Sequence, residues 1–277
     1  MPQINEAFLH RNEIDFHYLD LGDGLPFFLQ HGLGGDVSQP IELYAPPPSV
    51  RLVTMDARGH GATRPTGTAA YFTFDAFADD LYALAGHLGL PSFVVGGISM
   101  GAGVALNLAL RYPTRVRGLV LVRPAWLEQP MPENLASMVT VGELIQRFGA
   151  PTARRRFLDT PIYQALRATA PYTADSLLGQ FDEARAEDAV VRLQRMPEDA
   201  PNRHRAAWEA LHTPTLILAN QEDPMHPFAY ATTLAEAIAG ATLIEVTSKA
   251  VDKTRHIAEV RQAINAFLQE VQSTGAL

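Results

Sequence analysis

Short apolar runs at residues 14–19, 26–29, 51–55, 93–95 and 118–122 are each bounded by Gly, Pro or Asp, and such runs return at 215–219 and 242–246. Turn formers at the ends of a short apolar run predict a strand. Between the runs the spacing changes. Phe77, Leu81, Leu84 and Leu88 recur every three or four residues, which predicts an amphipathic helix opening near Asp75. Residues 101–111 read the same way, and Pro113 stops them. Near-continuous apolar strands alternating with helices imply an α/β fold, a mostly parallel sheet with helices on both faces.

That rhythm breaks after Val122. Residues 126–205 carry no convincing strand, and 133–148, 152–158 and 184–196 read as helices punctuated by Pro130, Pro132, Pro151, Pro161, Pro171 and Pro197. A last amphipathic helix is expected over 258–271. The expected organisation is therefore a core domain of residues 1–125 and 206–277, interrupted by an inserted helical cap, or lid, at 126–205. An insertion of roughly 80 residues is the size of a small helical subdomain.

Composition narrows the function. The 277 residues are 47% hydrophobic and 19% charged, enough to bury a core without staples. A formal net charge of −8 repels phosphates, so no nucleic acid and no membrane surface is expected as a partner. Residues 91–110 hold no charge and approach the length of a membrane span, but they include Ser92, Ser99, Asn107 and four glycines. A buried strand turning into a buried helix is expected there. The absence of cysteine excludes disulfides, thiolate metal sites and a thiol nucleophile. The first residues show neither a basic nor an apolar leader segment, so a cytoplasmic location is expected.

Gly97-Ile98-Ser99-Met100-Gly101 falls where the 93–95 strand meets the next helix. A serine on so sharp a turn needs small neighbours, and the turn lifts its hydroxyl above the sheet edge at a helix N-terminus. Ser99 is the expected nucleophile. It needs a base and a carboxylate to orient that base, following in the order acid, then histidine. Asp223 comes just after the 215–219 strand, and His256 comes after the next strand and before the last helix. Both project from the carboxyl end of the sheet, where Ser99 lies. Asp223 is preferred to its neighbour Glu222 because it takes the turn position before Pro224. Of the remaining histidines, His226 is expected to point along the Asp223 turn and not across to Ser99. The amides of Leu33 and Met100 are the expected oxyanion donors. Gly32, Gly34 and Trp126 are expected to contact substrate, and His31 is expected to brace its loop.

His31-Gly32, Asp56-Ala57-Arg58-Gly59-His60-Gly61, Gly97-x-Ser99-x-Gly101, Asp223 and His256 together resemble the α/β-hydrolase superfamily, in particular its bacterial serine esterases and lactonases with a helical cap. The likeness covers nearly the whole chain. It implies the α/β-hydrolase fold and a structural role for Asp56, Arg58 and His60. Three departures stand out: Asn220 and Arg255 replace usual glycines, and His256 comes 33 positions after Asp223.

The expected activity is hydrolysis of a small carboxylic ester or lactone through an acyl-serine, with a small-molecule substrate, no metal, no organic cofactor, and a monomer or homodimer. Carbon–carbon bond hydrolysis, perhydrolysis or acyl transfer on the same triad, and a low-turnover binding protein, are the alternatives. A dinucleotide fold is not supported, because Leu106 stands where the third glycine would fall. The insertion names no substrate. Arg154-Arg155-Arg156 is offset by an excess of acids over arginines across 126–205, and so predicts a solvated face. Leu135, Met138, Val139, Leu144 and Phe148 would suit either an acyl pocket or the packing face of a lid helix.

Overall fold

Eight strands form one sheet in the order β1-β2-β4-β3-β5-β6-β7-β8 in a computed structural model that describes residues 4–182 and 186–274. They are β1 (Ile4–Arg11), β2 (Ile14–Leu21), β3 (Leu25–Gln30), β4 (Val50–Met55), β5 (Phe93–Ile98), β6 (Val116–Val122), β7 (Thr215–Ala219) and β8 (Thr242–Glu245). β1 pairs antiparallel with β2 and β2 with β4; every pair from β4 to β8 is parallel. β5 and β7 are buried along their whole length, as strands covered on both faces must be. β1 is the one strand absent from the apolar runs. It is an edge strand with Ile4 and Phe8 exposed, so it has no continuous apolar face to read.

Helices cover both faces. Against one lie α2 (Phe74–His87), α3 (Met100–Arg111) and α10 (Phe228–Ala237); the other carries α1 (Ser38–Leu43) and α11 (Lys253–Ser273). Between β6 and β7 the chain runs through α4 (Ala136–Phe148), α5 (Ala150–Leu158), α6 (Pro161–Thr169), α7 (Pro171–Asp182), α8 (Ala186–Arg195) and the short α9 (Ala206–Glu209). The start of the helix expected at 184–196 lies outside the described residues; its described part is α8. Val141 and Ile145 of α4 pack inward, whereas Arg156 stacks over the half-buried Phe148 and Arg154 pairs with Asp182 at 3.1 Å. The arginine run is thus a solvated face.

The last helix differs from expectation in a way that matters. It begins at Lys253, five residues early, because the Asp252 side chain caps it by accepting from the Arg255 N–H at 2.9 Å. His256 is therefore inside the first turn and not on the loop before it.

Candidate active site

Three parallel strands, β5, β6 and β7, deliver the site at their carboxyl ends. β5 ends at Ile98 and α3 begins at Met100, leaving Ser99 alone to make the turn, with φ 58° and ψ −112°. A residue other than glycine held there costs about 1–3 kcal/mol. The turn is that tight because β5 and α3 nearly touch. A Cβ on Gly97 would lie 2.0 Å from the Gly101 carbonyl carbon, and one on Gly101 would lie 2.3 Å from the Gln30 carbonyl oxygen. Both obstacles are backbone, so Gly97→Ala is expected to yield insoluble or unfolded protein, as expression and circular dichroism would show.

β7 ends at Ala219, and Glu222 turns the chain three residues later with φ 60°. Asp223 then opens a tight turn, with its carbonyl accepting from the His226 N–H at 3.1 Å and its carboxylate accepting from the Met225 N–H at 3.2 Å. Closing that turn returns His226 above Asp223. Its Nδ1 lies 2.9 Å from Asp223 Oδ2, and its Nε2 lies 2.9 Å from Ser99 Oγ. Ser99, Asp223 and His226 are thus brought together, with Ser99 only 9% exposed.

His256 is elsewhere. It is fully buried on α11, with Nδ1 2.8 Å from the Thr247 carbonyl and Nε2 without a hydrogen-bond partner among the described residues. The sequence expectation for both histidines is corrected together. The early cap at Asp252 turns His256 into the protein, and the 223–226 turn aims His226 across to Ser99.

Electrostatics fit the arrangement. Burial favours the neutral imidazole of His226 and pulls its pKa below 6.5, against the pull of the Asp223 carboxylate. An ionised carboxylate can only accept, so Nδ1 carries the proton toward Asp223 and Nε2 keeps its lone pair for the Ser99 hydroxyl. Asp223 resists burial because His226 and the Arg123 guanidinium, 3.1 Å from Oδ2, hold it well below the ordinary carboxylate range. Burial also lowers His256, to about 4, with Arg123 and Lys249 adding to the shift.

The loop after β3 supplies the opposite wall. The Gly32 N–H donates to Gln39 Oε1 at 2.7 Å and the Gly35 N–H to the Gly32 carbonyl at 3.0 Å. Among the described residues, the Leu33 amide is left with no protein acceptor, as is that of Met100 at the first position of α3. His31 braces this loop, with Nδ1 2.8 Å from the Gly32 carbonyl and Nε2 accepting from the Ala57 N–H at 3.0 Å. His60 Nε2 lies 2.8 Å from the Leu33 carbonyl. Asp56 accepts from the Val37 and Ala62 amides at 2.8 and 2.7 Å, and Arg58 grips Asp80 at 2.6 and 2.9 Å. These groups fix the loop beside Ser99 without reaching it.

A cavity of about 130 Å³ opens over Ser99 and His226. Gly32, Leu33 and Gly34 line it from the loop after β3, and Leu135, Met138 and Tyr172 from the segment between β6 and β7. Trp126 is not among the lining residues. It is buried edge-on against Phe74, with ring centroids 5.3 Å apart, because the chain leaving β6 turns into the core before reaching the cavity. Arg123 and Lys249 line the cavity and had no assigned role in the sequence. For Arg123 the readable signal was a charged residue immediately after a buried strand. Among the described residues, no group of three or more His, Asp or Glu side chains is placed to hold a metal ion, and no helix is long and apolar enough to cross a membrane.

Comparison with known proteins agrees with this geometry. A family model described as the alpha/beta hydrolase fold matches residues 26–258. A Synechocystis protein provisionally named a non-heme chloroperoxidase is 35% identical over 127 residues, 45% of either chain. The 2-hydroxymuconate semialdehyde hydrolase of Pseudomonas sp. strain CF600 is 29% identical over 234 residues, 81% of this chain and 79% of its own. Among solved structures, a thermophilic esterase from Thermogutta terrifontis, with malate bound, superposes with a TM-score of 0.72 at 26% identity, over 97% of this chain and 99% of that one. With the strand–turn–helix junction at Ser99, the sheet order and the family model in agreement, this chain belongs to the α/β-hydrolase family.

Proposed function

We propose that the protein hydrolyses small carboxylic esters or lactones through an acyl-Ser99 intermediate, with His226 as the base and Asp223 as its orienting acid. The observation that carries this reading is the pair of 2.9 Å contacts running from Asp223 through His226 to Ser99. His226 Nε2 takes the hydroxyl proton as Ser99 Oγ attacks the carbonyl carbon. The carbonyl electrons move onto oxygen, where the free Leu33 and Met100 amides receive the negative charge. When the tetrahedral intermediate collapses, the imidazolium gives its proton to the departing alkoxide. Water then enters, loses a proton to His226 and attacks the acyl carbon, and Ser99 leaves with that proton. Asp223 stabilises the imidazolium in both halves.

The esterase among the structural neighbours supports an ester substrate, and the small cavity supports a short acyl group. Ligand sites for drug-sized molecules run to about 300–1,000 Å³. In this reading the helices between β6 and β7 act as a lid, since Leu135, Met138 and Tyr172 close the cavity from above.

A fluorophosphonate probe should attach stoichiometrically to Ser99, located by peptide mass spectrometry; folded protein that stays unlabelled there sinks the proposal. The pH profile gives a second check. Protonated His226 cannot accept from Ser99, and its pKa lies below 6.5, so kcat/KM should climb through an inflection below pH 6.5 and stay level toward neutrality. An inflection above pH 7 would contradict the assignment.

A further inference from the structure

The cavity over Ser99 is charged in a way that the hydrolytic steps do not use. Its lining contains two cations, Arg123 and Lys249, against one carboxylate, Asp223, although the chain as a whole carries a net charge of −8. That carboxylate is already engaged by both His226 and Arg123. Lys249 has no hydrogen-bond or ion-pair partner among the described residues. It is one of only two lysines in the protein and is half-buried, not splayed into solvent. Partly burying an ammonium without an acceptor is costly, so a site that does so is arranged for an incoming anion.

The surroundings place that anion. Arg123, Tyr172, Thr173, Asp223 and Lys249 line both the cavity over Ser99 and a smaller adjoining recess, whereas Leu33, Leu135 and Met138 line only the first. The cavity therefore has a cationic, hydroxyl-bearing end shared with the recess, and a body of mixed character in which Leu33, Leu135 and Met138 alternate with Gln39 and Gln180. Glu222 also borders the recess, but it is exposed and forms no ion pair with either cation among the described residues.

We propose that Lys249, with Arg123 behind it, binds a carboxylate carried by the substrate, so that the preferred substrate is a half-ester or lactone with a free acid group at the end remote from the scissile bond. This rests on Ser99 being the nucleophile, and it narrows the substrate class. Burial, Arg123 and Lys253 hold the Lys249 ammonium down to about 7, against Asp223 and Glu42; a bound carboxylate would oppose that shift.

The test uses the monomethyl esters of succinate, glutarate and adipate, each paired with its terminal carboxamide, a neutral analogue of nearly the same shape. Wild type should favour the acid over the amide by about tenfold or more in kcat/KM for at least one chain length, the scale of a charge-assisted hydrogen bond. Lys249→Met should lower that ratio about tenfold, and Lys249→Arg should keep most of it. A ratio near one in wild type, or an unchanged ratio in a folded Lys249→Met protein, overturns the proposal. In that case, probe labelling of Ser99 leaves the hydrolase reading standing.

If none of the esters is turned over, calorimetric titration with the three dicarboxylates decides instead. Binding by wild type that is lost in Lys249→Met supports the anion site, and absence of binding ends it. Failure of the probe to label Ser99 speaks separately against the nucleophile.

Discussion

Replacing Ser99 with alanine should reduce ester hydrolysis by about a millionfold while leaving a folded protein. Nothing else in the described cavity can take over the nucleophile's position, because only Ser99 sits within hydrogen-bonding distance of His226 Nε2. The loss should fall on kcat, since the acyl-enzyme can no longer form. Stability should change little, because alanine keeps the same strained backbone. Ser99→Gly should go further and relieve the strain at φ 58°, which is worth about 1–3 kcal/mol and exceeds glycine's entropic cost of about 0.5–1 kcal/mol. Its thermal midpoint should therefore rise as activity disappears. A midpoint below that of wild type would show that the elbow is not strained as described.

Replacing His226 with alanine should cost about 10⁴–10⁶ in kcat, comparable to losing the nucleophile, because the members of such a unit act together. The Ser99 proton would have no acceptor and the leaving alkoxide no donor. Asp223→Asn should cost about 10⁴ for a different reason. An amide can donate to Nδ1, which would place the imidazole proton on Nε2 and remove the lone pair that Ser99 needs. Both variants would still hold substrate, so the losses should appear in kcat far more than in KM.

Much of this was legible in the chain. The strands β2 to β8 announced themselves as short apolar runs between turn formers, and the elbow at Ser99 followed from the glycines at its flanks. Asp223 was readable as the turn residue after β7. The histidine was not, because two local signals were missed. Asp252 is an N-cap residue type, its side chain accepts from the Arg255 backbone N–H, and it starts α11 early enough to carry His256 into the core. Asp223-Pro224-Met225-His226 closes on itself through the Asp223 carbonyl, and this reverses the direction in which His226 was expected to point. Trp126 and Lys249 illustrate the remaining gap. Trp126 faces the core because of how the chain leaves β6, and Lys249 reaches the cavity because the loop between β8 and α11 lies beside Tyr172 and Thr173; residue spacing encodes neither.

The rate at which a fluorophosphonate labels Ser99, compared among wild type, His226→Ala and His256→Asn, tests the assignment of the base most directly. Asparagine can still donate to the Thr247 carbonyl, so His256→Asn should remain folded. His226→Ala should label about a thousandfold or more slowly, while His256→Asn stays within about tenfold of wild type. Normal labelling in His226→Ala together with a collapse in folded His256→Asn would contradict the account.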